Sequence, residues 1–500
     1  MNSPFDDHIS ADKTKLFEKV DSGARSTPVI YLLWGDGVKI LERQAERTRV
    51  RARNREGWVD NTSLGGTSLM EYYFIDVGQG DGVLIKTPDF RHILIDGGWP
   101  RRNQDTGKNA ADFVDWKFKK DYGMNAIELE AMVCSHNDQD HYGGLWDMLN
   151  TDQIAELDCA EVFVKDFFHA GLGHWDQDDG NELGEHREDG DGDFYVQLMG
   201  DREAVTDALN GTGPQLRGEW AQFMATVRDA KWTDDTPVTI TRLSNLAEVM
   251  PGFENNTDNG PAIRVLGPVE FVVNGGPAIR RFGSTPSQNT NGCSILMRVD
   301  FGRTRTLLTG DLNKKSQRTL LNDYIGHVQE LECDVAKACH HGSDDVSYAF
   351  LQAMRPAATV ISSGDNEGHD HPRPAIIAAS ATTGYFKMAN DELVSPLVFS
   401  TELARSTSFG KPYQLTTGKG TPTAAVIADE GLSKAEVAYK ETKAGDRNPK
   451  PGAKTLDRGL MVAGLIYGLV NVRTDGNRIL CATLDEKDSD WRIHELVSRF

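Results

Sequence analysis

The sequence predicts an α/β fold, and two features of the chain indicate it. Short β-like runs are interspersed with helical segments between about residues 70 and 380, which is typical of mixed α/β domains. Several of these runs are continuous and apolar, as expected for strands buried on both faces. With 500 residues, the chain is long enough for one large domain with insertions, or for two to three domains.

The composition is that of a globular protein, with 39% hydrophobic and 26% charged residues. The net charge of −21 argues against broad, non-specific binding to a phosphate backbone, which requires Lys and Arg. Bound divalent cations would supply positive charge locally, so the charge leaves a nucleotide substrate open.

The sequence favours a cytoplasmic location without membrane association. No run of about 18 apolar residues is present, and the first 20 residues are polar, without the apolar core of a signal peptide. The six cysteines are scattered and form no CxxC pair, which is typical of buried thiols in a reducing compartment.

The N-terminal part divides into a polar lead-in at residues 1–25 and a β-rich segment at residues 26–68. The turns "GDG" and "REG" beside aromatic residues predict a small antiparallel barrel. Through "LLWGDGVKIL" and "VRARNREGWV" the segment resembles the bacterial SH3-like domains. That resemblance implies a module that docks a peptide, a wall component or a protein partner; a packing appendage is the alternative.

The next elements lead into one polar motif. Strands are predicted at 73–77 and 83–87 around the Gly-rich turn 78–82, and a third strand at 92–96 ends in Gly-Gly. After a helical stretch, "IELEAMVCS" is predicted to be a buried strand that runs directly into "HNDQDHYGG", and "LWDMLN" has helical spacing.

The later segments alternate in the same way. Two insertions are expected, at about 150–235 and 395–455. The first contains the acidic run 176–193, whose nine acids and single Arg predict a solvated surface loop. A calcium loop would need Gly at the sixth position, and here it stands at the fifth. The other predicted elements are the strands "AIRVLGPVEF", "CSILMRVDFG", "RTLLTGD", "CDVAKAC", "ATVISSGD", "GLVNVRTDG" and "RILCATLD" and the helices "KKSQRTLLNDYI" and "SYAFLQAMR".

Histidine and aspartate side chains cluster just beyond the carboxyl ends of these predicted strands. Strand ends on one edge of a sheet converge, so clusters far apart in sequence can meet in one crevice. Imidazole nitrogen and carboxylate oxygen suit zinc, manganese or iron, and two cations can share one carboxylate. The residues concerned are His136, Asp138, Asp140 and His141 in the first motif, then Asp311, His340, His341 and His371.

The motif "SHNDQDHYGG" resembles the His-x-His-x-Asp-His signature of the metallo-β-lactamase fold, with Asp138 in place of the second His. Together with "FIDVGQGDGVLI", "ILIDGG", "LLTGD", "HHGS" and a final "HP", it resembles the ComEC-type competence metallo-hydrolases. The motifs occur in the family's order over residues 70–380, with "VRTDGNRI" near the end. This resemblance implies an αββα four-layer metallo-β-lactamase sandwich over residues 69–500, preceded by the SH3-like barrel.

The resemblance also implies a role for each matching residue. One divalent metal, zinc or manganese, would be bound by His136 and Asp138, and a second by Asp140 and His141. Asp311 would bridge the two metals. His340 would complete a ligand shell, His341 would be a ligand or would orient His340, and His371 would contact substrate or act as an acid. His369 is a weaker candidate, and Asp76, Asp81 and Asp96 match positions that support the metal loops.

Two departures from the family pattern limit the resemblance. Many relatives carry a separate His before the bridging Asp, but here that interval holds only His169, His174 and His186, in or beside the insertion. One metal position is therefore expected to lack a ligand and to be weakly occupied. The membrane channel of the competence proteins is absent as well, so the resemblance does not imply DNA uptake.

The leading functional hypothesis is a metal-dependent phosphodiesterase or nuclease that acts on a nucleic acid or a small or cyclic nucleotide through activated water, with Asp140 and His371 as catalytic residues. Hydrolysis of an ester, thioester or lactam is an alternative. A third hypothesis is a partner-docking effector whose site is gated by the acidic insertion. A serine triad of Ser343, His341 and Asp311 is disfavoured because no Gly-x-Ser-x-Gly turn is present.

Overall fold

The computed structural model describes most of the chain. The described residues are 3–104, 106–177, 181–190, 192–211, 213–364, 371–401, 408–441, 450–459, 461–463, 468–485 and 490–500. His369, part of the acidic run 176–193 and part of the predicted insertion 395–455 lie outside the described residues.

A nine-stranded mixed sheet forms one half of the large domain. The four strands from the edge strand Thr239–Arg242 to His92–Ile95 run parallel to one another. Each later pair of neighbouring strands is antiparallel. In spatial order the strands are Thr239–Arg242, Glu161–His169, Ala126–Cys134, His92–Ile95, Val83–Lys86, Met70–Phe74, Val470–Thr474, Arg478–Asp485 and Asp490–Val497.

A six-stranded sheet forms the other half. Its first three strands are antiparallel and its last four are parallel. In spatial order they are Ala262–Gly267, Leu296–Phe301, Thr304–Leu308, Val335–Lys337, Ala358–Ile361 and Leu397–Ser400. The apolar runs predicted as buried strands are therefore strands of the two sheets.

Three hydrophobic clusters define a four-layer αββα arrangement. One cluster lies between the sheets and joins residues such as Phe74 and Val133 to Val299 and Val360. A second packs the outer face of the nine-stranded sheet under the helices Ala110–Trp116, Gln139–Leu149, Arg202–Asn210 and Gly218–Asp229 and the π-helix Lys117–Tyr122. A third packs the six-stranded sheet under Lys314–Asp323, Tyr348–Met354 and Pro374–Thr383. Each sheet thus buries both of its faces.

The N-terminal part is a separate small β structure. An antiparallel sheet contains Asp7–His8, Gly37–Arg43, Arg47–Ala52 and Arg55–Asp60, and Lys13–Leu16 pairs with Ile30–Leu33. Residues 1–25, expected to be a polar lead-in, thus supply two strands, because Ile9 and Leu16 are buried in the core of this unit.

The remaining elements are peripheral to the two sheets. A four-stranded sheet lies partly in the predicted insertion 150–235, which also supplies Glu161–His169, the second strand of the nine-stranded sheet. The strands of this sheet are His186–Asp189, Gly192–Tyr195, Gly276–Arg280 and Glu270–Val273. Four further pairs of strands join Lys387–Ala389 with Glu392–Ser395, Ser408–Gly410 with Met461–Ala463, Gln414–Thr417 with Ala425–Ala428, and Glu436–Glu441 with Lys450–Thr455. Among the described residues, no helix is long and apolar enough to cross a membrane.

Candidate metal centre

The candidate residues lie beyond the ends of strands of the two sheets, in loops and at the starts of helices. The first motif follows Ala126–Cys134, and the helix Gln139–Leu149 begins inside it, so that Asp140 and His141 belong to its first turn. Asp311 follows the strand Thr304–Leu308, and His340 and His341 follow Val335–Lys337. Strands of two different sheets thus bring His141 and His341, 200 residues apart in sequence, into contact. These residues were expected to converge at the edge of a single sheet.

Four buried side chains form the tightest group. Asp81, His141, Asp311 and His341 each offer a ligand atom, and these atoms lie within 4.8 Å of one another. Asp311 Oδ2 is 2.8 Å from His341 Nε2 and 3.3 Å from His141 Nε2. The two Nε2 atoms are 3.3 Å apart. Two imidazole nitrogens and one carboxylate oxygen thus converge on one point.

Two further carboxylates orient these imidazoles. Asp96 Oδ2 lies 2.9 Å from His141 Nδ1, and Asp81 Oδ1 lies 3.1 Å from His341 Nδ1. Each carboxylate accepts the Nδ1 proton, which leaves Nε2 as the atom that faces the centre. This carboxylate–imidazole arrangement is typical of metal-binding histidines. Lys337 pairs with Asp81 and lies 3.6 Å from Asp311 Oδ1.

A second, looser group lies beside the first. The Nδ1 atom of His136 is held by Ser135 and Ser294, whose hydroxyl oxygens lie 3.1 and 3.2 Å away, and its Nε2 atom is 3.8 Å from Asp138 Oδ2. The ring centroids of His136 and His141 are 3.9 Å apart. The two groups therefore adjoin each other.

The neighbouring histidines differ in their distance from the centre. His340 Nε2 is 3.9 Å from Asp311 Oδ2, farther than His341. The Asn291 amide stands between His340 Nε2, at 3.2 Å, and Asp138 Oδ2, at 2.9 Å in the amide orientation that satisfies both. His340 thus already has a hydrogen-bond partner at the nitrogen that faces Asp311.

These groups open into a pocket of about 240 Å³. Its lining is polar apart from one indole, and Gln79 Nε2 donates a hydrogen bond of 3.2 Å to Asp140 Oδ2. The ring centroid of His371 is 5.8 Å from that of His340. The lining residues are Gln79, Trp99, Asp138, Gln139, Asp140, Ser287, Asn291, Asp311, His340, His341 and His371.

Several of these residues have no recognisable signal in the local sequence. Asn291 follows no predicted strand; it belongs to the short helix Pro286–Gly292, which runs along one side of the pocket. Ser294 and Lys337 contact the centre from strand ends. Of the three histidines in the interval, His174 donates to Asn137 O (2.8 Å), His169 accepts from Gly171 N, and His186 pairs with Asp193.

Electrostatics at the centre keep protons on some groups of the metal-free protein. Burial and the neighbouring Asp140 raise the pKa of Asp138 to about 7. Burial acts to lower the pKa of His341, but Asp311 and Asp81 outweigh it and raise this pKa to about 10. For His136, burial and the nearby His141 lower the pKa well below its ordinary value.

Metal binding should therefore release protons, and metal affinity should rise with pH. Asp138 and His341 carry protons near pH 7 in the metal-free protein and must lose them to bind a cation, so affinity falls as the pH falls. Calorimetric titration with zinc at pH 6, 7 and 8, in buffers of different ionisation enthalpy, should detect about one to two protons released. A pH-independent affinity would contradict this assignment.

Close backbone packing holds the metal loops. Gly80 has a φ of +111°, and a Cβ there would lie 1.9 Å from Asp140 O. Gly144, in the pair that follows the first motif, lies against the Gly97 backbone, where a Cβ would be 2.0 Å from Gly97 O. The glycines allow the turn 78–82 and the "IDGG" segment to support Asp140 and His141 directly.

Gly80→Ala should destabilise the protein by about 2 kcal/mol or more, because left-handed strain and a backbone clash act together. Chemical denaturation of the metal-free protein measures this change. The matched control is Gly65→Ala, since Gly65 has a φ of +82° but no atom within 4 Å of the added Cβ. Equal losses in the two variants would show that the contact with Asp140 contributes nothing.

No protein-family model matches the chain, but two competence proteins are similar to it in sequence. Identity is 22% over 316 residues with ComE operon protein 3 of Bacillus subtilis (strain 168), covering 61% of this chain and 30% of that protein. It is 38% over 87 residues with Competence protein ComA of Neisseria gonorrhoeae, covering 17% of this chain and 12% of that protein. The chain thus spans less than a third of the length of either relative.

Two solved structures with which the chain was compared resemble it distantly. A metal-dependent hydrolase of the beta-lactamase superfamily, Tm1679, has a TM-score of 0.30 at 11% identity and covers 66% of this chain and 95% of its own. A diphosphatase from the PhnP family has a TM-score of 0.25 at 14% identity, with coverages of 59% and 86%. At these scores the likeness gives no information about activity.

Two facing sheets with helices on both outer faces, and a His/Asp motif at the sheet ends, define an α/β protein of the metallo-β-lactamase type. The sequence similarity to the two competence proteins is more specific. Over the matched residues the chain is thus ComEC-like in sequence, and it has the fold predicted from its motifs.

Proposed function

We propose that the chain is a metal-dependent hydrolase that cleaves a phosphodiester in a nucleic acid or a nucleotide. The observation that carries the proposal is the convergence of His141 Nε2, His341 Nε2 and Asp311 Oδ2, all within 3.3 Å of one another, beside a polar pocket. Imidazole nitrogen with carboxylate oxygen is a donor set that zinc and manganese accept.

The donor atoms at the centre fit a divalent cation. Asp311 Oδ1 is buried and makes no hydrogen bond to another described residue. Five carboxylates surround the centre, against one ammonium group, Lys337. Protons on Asp138 and His341 offset part of this negative charge in the metal-free protein, and a bound cation would replace them. The carboxylates are Asp81, Asp96, Asp138, Asp140 and Asp311.

We assign one metal position to Asp140, His141, Asp311 and His341, with Asp81 and Asp96 orienting the imidazoles. The second position would use His136 and Asp138 and share Asp311, with His340 at its margin. Because His340 Nε2 is bonded to Asn291, we expect this second position to bind metal more weakly. When bound, the two cations would activate water and neutralise charge on the phosphate oxygens.

The remaining pocket residues support phosphodiester chemistry. Gln79 fixes the carboxylate of Asp140 through its 3.2 Å hydrogen bond, and His371 stands at the pocket beside His340, where it can donate a proton to the leaving oxygen. Trp99 is the one apolar side chain of the lining. A polar lining favours a charged substrate over the acyl chain of an ester, thioester or lactam.

Hydrolysis of bis(p-nitrophenyl) phosphate by the purified protein, with manganese and with zinc, tests the proposal. We expect metal-dependent turnover that Asp140→Ala abolishes while its circular dichroism spectrum stays that of the wild type. p-Nitrophenyl acetate and a chromogenic β-lactam serve as carbonyl substrates in the same assay. Turnover of these substrates alone, by protein shown to contain metal, would replace phosphodiester by carbonyl chemistry.

A further inference from the structure

We propose that Trp99 is a stacking platform for a nucleobase attached to the scissile phosphate, so that the site selects nucleotides and nucleic acid ends over phosphodiesters that lack a base. This inference rests on the proposed function and adds a second recognised part of the substrate, the nucleobase, which does not itself react. It would make Trp99 a specificity-determining residue of the pocket.

The indole is the exception in an otherwise polar lining. The other ten lining residues are ionisable, amide or hydroxyl side chains. Trp99 is only partly buried, so its indole is not part of a hydrophobic core. An indole kept at the wall of a polar pocket offers a flat apolar face to a ligand, and nucleobases stack on such faces whatever their sequence.

The backbone around Trp99 is fixed, which a platform requires. The Trp99 N–H donates to Gln79 O (3.3 Å), and its carbonyl oxygen accepts from Asn109 Nδ2 (2.9 Å). Gly98 precedes it with a φ of +76°, and Pro100 follows. The residue is thereby attached to the same turn, 78–82, that supports Asp140, so its position relative to the metal centre is set by the fold.

Neighbouring indoles already have partners. The Arg102 guanidinium lies 5.4 Å from the ring of Trp146, and Trp220 packs on Tyr142 with ring centroids 5.3 Å apart. Within the described part of the chain, no aromatic ring or cationic side chain packs on the face of the Trp99 indole. Amides of Gln79, Gln139 and Asn291 line the same pocket and can hydrogen-bond to the edge of a base.

Three esters with one leaving group test the proposal. They are the p-nitrophenyl esters of thymidine 5′-phosphate, of abasic deoxyribose 5-phosphate and of methyl phosphate. We expect kcat/KM for the thymidine ester to exceed that for the abasic ester by about tenfold. Trp99→Ala should remove this preference mainly through KM, and Trp99→Phe should retain part of it. Trp116→Ala, which removes an exposed indole outside the pocket, should leave it unchanged.

Binding measured without turnover separates this inference from the proposed function. Thymidine 5′-monophosphate should bind the metal-loaded protein about tenfold more tightly than deoxyribose 5-phosphate, and Trp99→Ala should equalise the two. If no ester is hydrolysed but this difference is found, the proposed function fails and the stacking role stands. Equal binding of the two ligands by the wild type, or equal losses for all three esters in Trp99→Ala, would overturn the role of Trp99.

Discussion

Replacing Asp311 with asparagine should reduce turnover by about 1,000-fold or more and remove at least one metal ion per chain. Asp311 is buried, and its Oδ2 atom is the nearest carboxylate oxygen to both His141 Nε2 and His341 Nε2. The substitution keeps the shape of the side chain and removes its negative charge. A loss of turnover and of bound metal would therefore reflect the loss of a metal ligand and not a change in packing. Elemental analysis of the purified variant, together with the phosphodiester assay, measures both effects.

A graded series controls this prediction. Asp96→Asn keeps every ligand but weakens the hold on His141 Nδ1, and should cost about 10- to 100-fold in metal affinity. Asp300→Asn, on the strand Leu296–Phe301 and paired with Arg298, should bind metal as the wild type does. If Asp311→Asn retains the wild-type metal content, Asp311 is not a ligand. An equal loss of metal in Asp300→Asn would indicate a general folding defect.

The sequence predicted those parts of the centre that depend on local pattern. Ala126–Cys134 and Thr304–Leu308 lie in β-like runs that end just before polar motifs, so both the strands and the position of His136 or Asp311 at their ends could be predicted. The partners of these residues are not encoded by local spacing, because they reach the centre only when separate loops fold together. Asp96 was expected to support the metal loops through the family resemblance, and Asn291 was not expected at all.

The pair His340 and His341 shows the same limit within two residues. From sequence, His340 was expected in the ligand shell and His341 as a ligand or as its orienting neighbour; the structure brings His341 into the tight group. Both residues have a φ near +50°, a region that disfavours non-glycine residues. This backbone conformation determines which of the two imidazole rings points into the centre. Tertiary contacts impose the conformation, so the His-His dipeptide alone does not reveal it.

Replacing Arg473 with methionine should lower the free energy of unfolding by about 3–5 kcal/mol. Arg473, on the strand Val470–Thr474, is fully buried; its Nη2 atom is 2.7 Å from Asp36 Oδ1 and 3.3 Å from Glu71 Oε2, and its Nη1 donates to Trp34 O (2.6 Å). It thereby attaches the N-terminal β structure to the large domain. Without it, two buried carboxylates lose part of their compensating charge.

The pH dependence of this loss distinguishes charge from packing. Burial raises the pKa of Glu71, but Arg473 and Lys86 outweigh it and hold this pKa well below its ordinary value. The stability that Glu71 contributes is therefore present above its unfolded pKa, about 4.3, and is lost as the pH falls toward the folded pKa. In Arg473→Met the carboxyls protonate at higher pH, so the difference from the wild type should shrink below about pH 4.

Urea denaturation at pH 7 and at about pH 3 measures these differences. Arg49→Met is the control, because Arg49 pairs with Glu56 at 2.8 Å on the exposed surface of the same N-terminal structure, and such a pair contributes less than about 1 kcal/mol. A loss in Arg473→Met no larger than in Arg49→Met would mean that the buried Arg473 does not hold the N-terminal structure in place. The cluster of Leu33, Trp34, Leu480 and Trp491 would then be the part of the interface to alter next.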